Sequence, residues 1–230
     1  MTRTVPVTSF RLALHQRGWG FAAEHRARVT AHWAEITARN PSLWNGEILI
    51  CTGASAEQGH FEAELTKTDY ASFVAWRDWG RPDTSVRNCF GAPAAFSSDG
   101  ALLVGVMAPW TLNAGKAYPP SGTLEPKDVL ADGTVDVLGS MRTELLEETG
   151  LDIDAAAAGE TVAIFEGPRL GLVRRFDFPL RFAEMEEIFV RHQAAEEKPE
   201  LERIEAMTSA DQIDSRMPGY AQEIARYFLK

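Results

Sequence analysis

The stretch Asp136-Val-Leu-Gly-Ser-Met-Arg-Thr-Glu-Leu-Leu-Glu-Glu-Thr-Gly150 constrains this chain most, because it carries a helix start, a helix stop and a charge cluster together. An aspartate ahead of the first turn accepts N–H groups that have no partner inside the helix, and a glycine after the last turn takes the left-handed conformation that ends it. Val137, Met141 and Leu145 recur every four residues and form a stripe that must be buried. Glu144, Glu147 and Glu148 stand at i, i+3 and i+4 on another face. Carboxylates at that spacing repel one another unless they face open water or share a cation. Magnesium, which takes oxygen ligands and keeps several waters, suits such a partial carboxylate set.

Glu144-Leu-Leu-Glu-Glu-Thr-Gly-Leu151 resembles, position by position, the second half of the Nudix box, G-x5-E-x7-R-E-U-x-E-E-x-G-U with U aliphatic. The resemblance implies a Nudix hydrolase that binds Mg²⁺, with Mn²⁺ as the alternative, through Glu144, Glu147 and Glu148. It also implies an α/β/α sandwich around a mixed sheet. The first half of the box departs from the pattern. Thr143 stands where the family has arginine, with Arg142 one residue early, and Val135 stands where the family has an upstream glutamate. Gly122 fits the box glycine if the loop carries seven extra residues, and Glu125, Asp128 and Asp136 are candidates for the missing acid. A fold relative that binds nucleotide with weak or no turnover is the alternative reading, motivated by Thr143 and Val135.

Ahead of the box, Phe10 to Leu14 reads as a strand and Phe21 to Arg39 as a helix stopped by Asn40-Pro41. Glu47 to Thr52 and His60 to Leu65 read as strands joined by a polar loop, and Thr68-Asp69 caps a helix through Trp76. Asn88 to Phe96 and Ala101 to Ala108 flank an Asp-Gly turn and predict a β-hairpin. Asn113 to Gly133 reads as a long functional loop. After the box helix, strands are expected at 162–165, 170–176, 178–182 and 201–207, with helices from Glu184 to His192 and from Tyr220 to Leu229, and a capping box at Ser209 and Gln212. The chain divides into an α/β N-terminal extension, residues 1–86, and a hydrolase domain, 87–230.

Acidic residues outnumber basic ones, 33 to 23, with no basic run, which argues against nucleic acid as a partner. No stretch of about 18 apolar residues occurs, and the N-terminus lacks the charged-then-apolar pattern of a signal peptide, so the expectation is a cytoplasmic protein without a membrane partner, monomeric or homodimeric. Cys51 and Cys89 have no metal-ligand spacing and read as packed, reduced thiols.

The expected substrate is a small nucleoside diphosphate derivative. The stretches Asn40-Pro-Ser-Leu-Trp-Asn-Gly46 and Thr66-Lys-Thr-Asp-Tyr70 loosely resemble Nudix enzymes that hydrolyse UDP-sugars, which implies a nucleotide sugar. Arg142, Lys116, Asn113, Tyr118 and Arg174 are the candidate substrate-binding residues, with Arg169 and Arg175 as further cations. Glu148, Glu187 and Glu196 are candidates for the general base. Trp110, just before the long loop, is the tryptophan singled out for ligand contact.

Overall fold

The computed structural model describes residues 2–229. The chain begins with β1 (Thr2–Val7) and β2 (Ser9–Leu14), helices α1 (Gly20–Glu24) and α2 (Arg26–Arg39), strands β3 (Glu47–Glu57) and β4 (His60–Asp69), and α3 (Tyr70–Asp78). It continues with β5 (Asn88–Phe96), β6 (Leu102–Met107), two-residue strands β7 (Ala117–Tyr118) and β8 (Gly122–Thr123), and α4 (Val137–Thr149). Strands β9 (Ala157–Glu166) and β10 (Arg169–Asp177), helix α5 (Phe182–Gln193), strand β11 (Leu201–Met207) and helix α6 (Gly219–Phe228) complete it.

Two sheets result. The larger runs β1-β9-β10-β5-β6-β11, with β7 added to β6 and β8 to β5, and is mixed because β10 and β5 run parallel while the other pairs are antiparallel. The smaller runs β2-β4-β3. β4 shows why it forms: Phe61, Ala63 and Leu65 are buried while His60, Glu62 and Glu64 between them are not, the period-2 signature of a sheet with one wet face. β5 and β6 are almost entirely buried, as strands covered on both faces are.

Adjacent residues of β5 locate the layers. A Cβ on Gly91 would meet Val137 and Met141 of α4, whereas the ring of Phe90, pointing to the opposite face, lies 4.8 Å from Tyr220 of α6. Helices α4 and α6 therefore cover opposite faces of the large sheet, and α5 packs on α4 and β11. The expected α/β/α sandwich is present. Among the described residues no helix is long and apolar enough to cross a membrane.

Several elements differ from the sequence expectation. β1 was not anticipated; it exists by pairing with β9, distant in sequence, so residues 2–7 lie in the large sheet. The helix expected from Phe21 to Arg39 is two helices, broken at His25. The hairpin β3–β4 is longer than expected and turns tightly at Gln58-Gly59, both with positive φ. The turn after β5 forms as expected, with Gly100 at φ +86°, but β5 and β6 then pair only at Phe96↔Leu102 and splay apart. β8 borders β5 and β7 borders β6 on the two sides of the gap. The long loop is thus not structureless. Residues 178–182 are no strand: a capping box in which Arg181 N–H donates to Glu184 Oε2 starts α5 at Phe182.

Candidate functional site

Helix α4 is fixed as its ends require. Asp136 Oδ1 accepts the Gly139 N–H at 2.9 Å, and Gly150 sits at φ +75° with its N–H donating to Leu146 O. Val137, Met141 and Leu145 are buried against the sheet, which turns the glutamate face toward the gap between β5 and β6. There the helix lines a cleft of about 370 Å³ with Glu144, Glu147 and Glu148. Gly122, Thr123, Glu125 and Lys127 form one wall, Asn113 and Tyr118 a second, and Trp44, Gly46, Ile48 and Tyr70 from the N-terminal part a third.

Gly122 touches Glu144 directly: a Cβ there would stand 2.0 Å from the Glu144 carboxyl carbon, so only glycine leaves room for that carboxylate. The loop after Gly122 folds into a small hairpin, bridged Val129↔Val135 and closed by Leu130 N–H to Thr134 O. It docks on β2 through Val135 N–H to Leu12 O and Leu14 N–H to Gly133 O.

Burial raises the Glu144 carboxyl to about 7, against the pull of Lys127 and with help from the charges of Glu147, Glu200 and Glu125. The Glu148 carboxyl is likewise pushed well above its ordinary range, by burial first and then by the charges of Glu144, Glu200 and Glu147. Its Oε2 is shut off from solvent and has no hydrogen-bond partner. Glu147 is exposed. Among the described residues no three His, Cys, Asp or Glu side chains stand together as a ready metal cage. Glu144 and Glu148 do suit a cation that needs only one or two carboxylates and completes its shell with water and phosphate, the usual habit of Mg²⁺. The orphaned Oε2 and the glycine-made space at Glu144 are what such a cation would use.

The remaining candidates divide. Asn113 donates from Nδ2 to the Tyr118 hydroxyl at 3.0 Å, and both line the cleft. Lys116 lines an adjoining chamber. Arg142 is turned away: it pairs with Asp154 at 2.6 Å and lines neither cavity. Arg174 also lines neither, its Nε buried without a partner and its guanidinium 5.8 Å from the Phe176 ring. Arg175 pairs with Asp177 and stacks over Phe96. Of the acids considered for the missing box position, Asp136 is occupied as a helix cap and Asp128 accepts the Glu125 N–H, which leaves Glu125 facing the cleft. Val135 is core.

Glu187 faces neither the cleft nor the recess beside it, whereas Glu196 shares that recess with Glu144, Glu147, Glu148 and Glu200. Glu200 and Lys127 are cleft residues the sequence did not single out; no motif surrounds either. Burial, and then the charge of Glu147, raises the Glu200 carboxyl. Trp110 lines neither cavity, and Trp44, 75% exposed at the cleft, is the tryptophan available to a ligand. Cys51 and Cys89 are buried free thiols.

No family model and no curated protein matches the chain. Among solved structures it is similar to the MutT protein from Methanosarcina mazei Go1, at 17% identity over 62% of this chain and 92% of that one, with a TM-score of 0.41. A Nudix hydrolase from Nitrosomonas europaea is 16% identical over 62% of this chain and 79% of that one, TM-score 0.36. A bifunctional NMN adenylyltransferase/ADP ribose pyrophosphatase from Francisella tularensis, complexed with AMP and a Mn ion, is 14% identical over 68% of this chain and 45% of that one, TM-score 0.43. These are distant likenesses, so the chemistry of the site is read from its own side chains.

Proposed function

We propose that this protein is a Mg²⁺-dependent hydrolase, with Mn²⁺ as a substitute, that cleaves the diphosphate linkage of a nucleoside diphosphate derivative, a nucleotide sugar in first place. The observation that carries the reading is the half-buried pair Glu144 and Glu148, one against Gly122 and the other with an unpartnered oxygen shut off from solvent, in a cleft open to a ligand. Two desolvated carboxylates four residues apart on one helix are a cost to the fold, and a divalent cation removes it.

A bound Mg²⁺ supplies charge neutralisation on the phosphoryl oxygens and a more acidic water. Glu144 and Glu148, with Glu147 at the exposed rim, would hold it, and Lys127 balances the acidic wall. Glu200 and Glu196 are our candidates for accepting the proton of the attacking water. Trp44 offers an aromatic face to the base or sugar. The chain would act in the cytoplasm, with residues 1–86 as an extension that contributes Trp44, Gly46, Ile48 and Tyr70 to a cleft built on residues 87–230.

The test is release of mononucleotide from UDP-glucose, ADP-ribose, a dinucleoside polyphosphate and coenzyme A, with and without Mg²⁺, comparing wild type with Glu148→Gln. Metal-dependent cleavage lost in the variant supports the reading. Nucleotide binding without any product favours the alternative, a binding module, for which Arg142 held by Asp154 and Thr143 in the place of an arginine are the specific observations.

A further inference from the structure

Beside the acidic cleft lies a second chamber of about 190 Å³ whose charge is reversed. Tyr70, Asn113, Tyr118, Ser121, Gly122 and Thr123 line both spaces, so a ligand can occupy them together. The chamber, and not the cleft, is lined by Arg77, Arg81, Lys116 and Arg169. Arg77 is paired with Asp78 and Arg169 with Glu166. Among the described residues Arg81 and Lys116 have no carboxylate within ion-pair distance.

Arg81 is held there deliberately by the backbone. It takes a positive φ of 60°, rare for a side chain of its size, in the turn after α3, where its N–H donates to Trp76 O. Burial and the neighbouring guanidinium groups of Arg169 and Arg77 both disfavour its charge. Three arginines converging with fewer acids than cations is an arrangement that an anion relieves. A third element is uncharged: Asn88 lines the chamber, and its Oδ1 is buried with no hydrogen-bond donor.

We infer that this chamber receives a phosphomonoester carried on a sugar, which narrows the proposed nucleoside diphosphate derivatives to those bearing a phosphate beyond the diphosphate that is cleaved and displaces plain nucleotide sugars such as UDP-glucose from first place. A phosphomonoester carries between one and two negative charges, matching the two unpaired cations. The sugar supplies the hydroxyl donor that Asn88 Oδ1 lacks. The volume is below the roughly 300 Å³ at which drug-sized ligand sites begin, which suits one end group and not a nucleoside. This rests on the proposed hydrolase reading for its connection to the diphosphate, but the chamber itself is testable without it.

The probes are ribose 5-phosphate and ribose, titrated calorimetrically into the metal-free protein, and coenzyme A against dephospho-coenzyme A as matched substrates with Mg²⁺. Ribose 5-phosphate should bind at least tenfold more tightly than ribose. Arg81→Gln and Lys116→Gln should each weaken it about tenfold, while Arg203→Gln, remote from the chamber, leaves it unchanged. In turnover the phosphorylated member of the pair should have the higher kcat/KM, and Arg81→Gln should erase the difference mainly through KM. Equal binding of ribose and ribose 5-phosphate to wild type overturns the inference without relying on any variant. Cleavage of both coenzymes at equal kcat/KM overturns it while leaving the hydrolase standing. Tight ribose 5-phosphate binding with no cleavage of any diphosphate supports the chamber and overturns the hydrolase.

Discussion

Glu144 and Glu148 are kept where an ionised carboxylate is disfavoured, and the consequence is measurable in the metal-free protein. For Glu144, folded and unfolded chains are both protonated below its ordinary value of 4.5, so no penalty exists there. The folded chain resists ionisation up to about 7, so the destabilisation grows from 4.5 and is complete above 7. Its ceiling is on the order of 3 kcal/mol. Glu144→Gln should therefore raise the Tm of metal-free protein at pH 8 and leave it nearly unchanged at pH 4.5; an equal Tm at both pH values would contradict the buried placement. Gly122→Ala acts on the same group sterically. Its methyl would occupy the Glu144 carboxylate's space, so activity with Mg²⁺ should fall by about 1–3 kcal/mol of activation, while the circular dichroism spectrum stays native.

At the scale of elements, α4 is over-determined by its ends, and each end can be tested. Asp136→Ala removes the oxygen that accepts the Gly139 N–H and should cost about 1 kcal/mol in denaturant unfolding. Gly150→Ala should cost more, because the alanine must adopt φ +75° and its Cβ would lie 2.8 Å from that of His192. The same double capping made α4 legible in the sequence, as did the Asp69 cap of α3, whose carboxylate accepts the Ser72 N–H. Elements made by distant partners were not legible. Thr2–Val7 contains Pro6 and no alternation, and becomes a strand only because β9 pairs with it. Phe178 and Phe182 suggested a strand by composition, yet the Glu184 carboxylate caps a helix there. In the site, the glutamates were readable because one helix repeats them in register. Lys127 and Glu200 of the cleft and Arg81 of the adjoining chamber come from three separate segments that only the fold brings to these neighbouring spaces.

Across the whole molecule, the two sheets share one apolar core: Leu12, Leu49, Phe61 and Leu65 of the smaller pack in the same cluster as Leu102, Met141 and Leu172. The protein should accordingly unfold in a single transition by calorimetry, and a chain lacking residues 1–86 should lose cooperative unfolding, since β9 would lose β1 from its edge and the core would be opened. A second thermally resolved transition would instead mark the extension as an independent unit. Adding Mg²⁺ at 100 times its Kd should stabilise the whole chain by about 2.7 kcal/mol, and Glu148→Gln should abolish that gain. The single rung Phe96↔Leu102 at which β5 and β6 still meet has a further consequence. Beyond it the two lips of the cleft belong to separate ladders, so the turn segments 109–114 and 131–132, which supply no hydrogen bond to a strand of the main sheet, can lengthen, shorten or change composition without disturbing its rungs. A lineage built on this plan is free to revise what it accepts while its load-carrying framework stays the same.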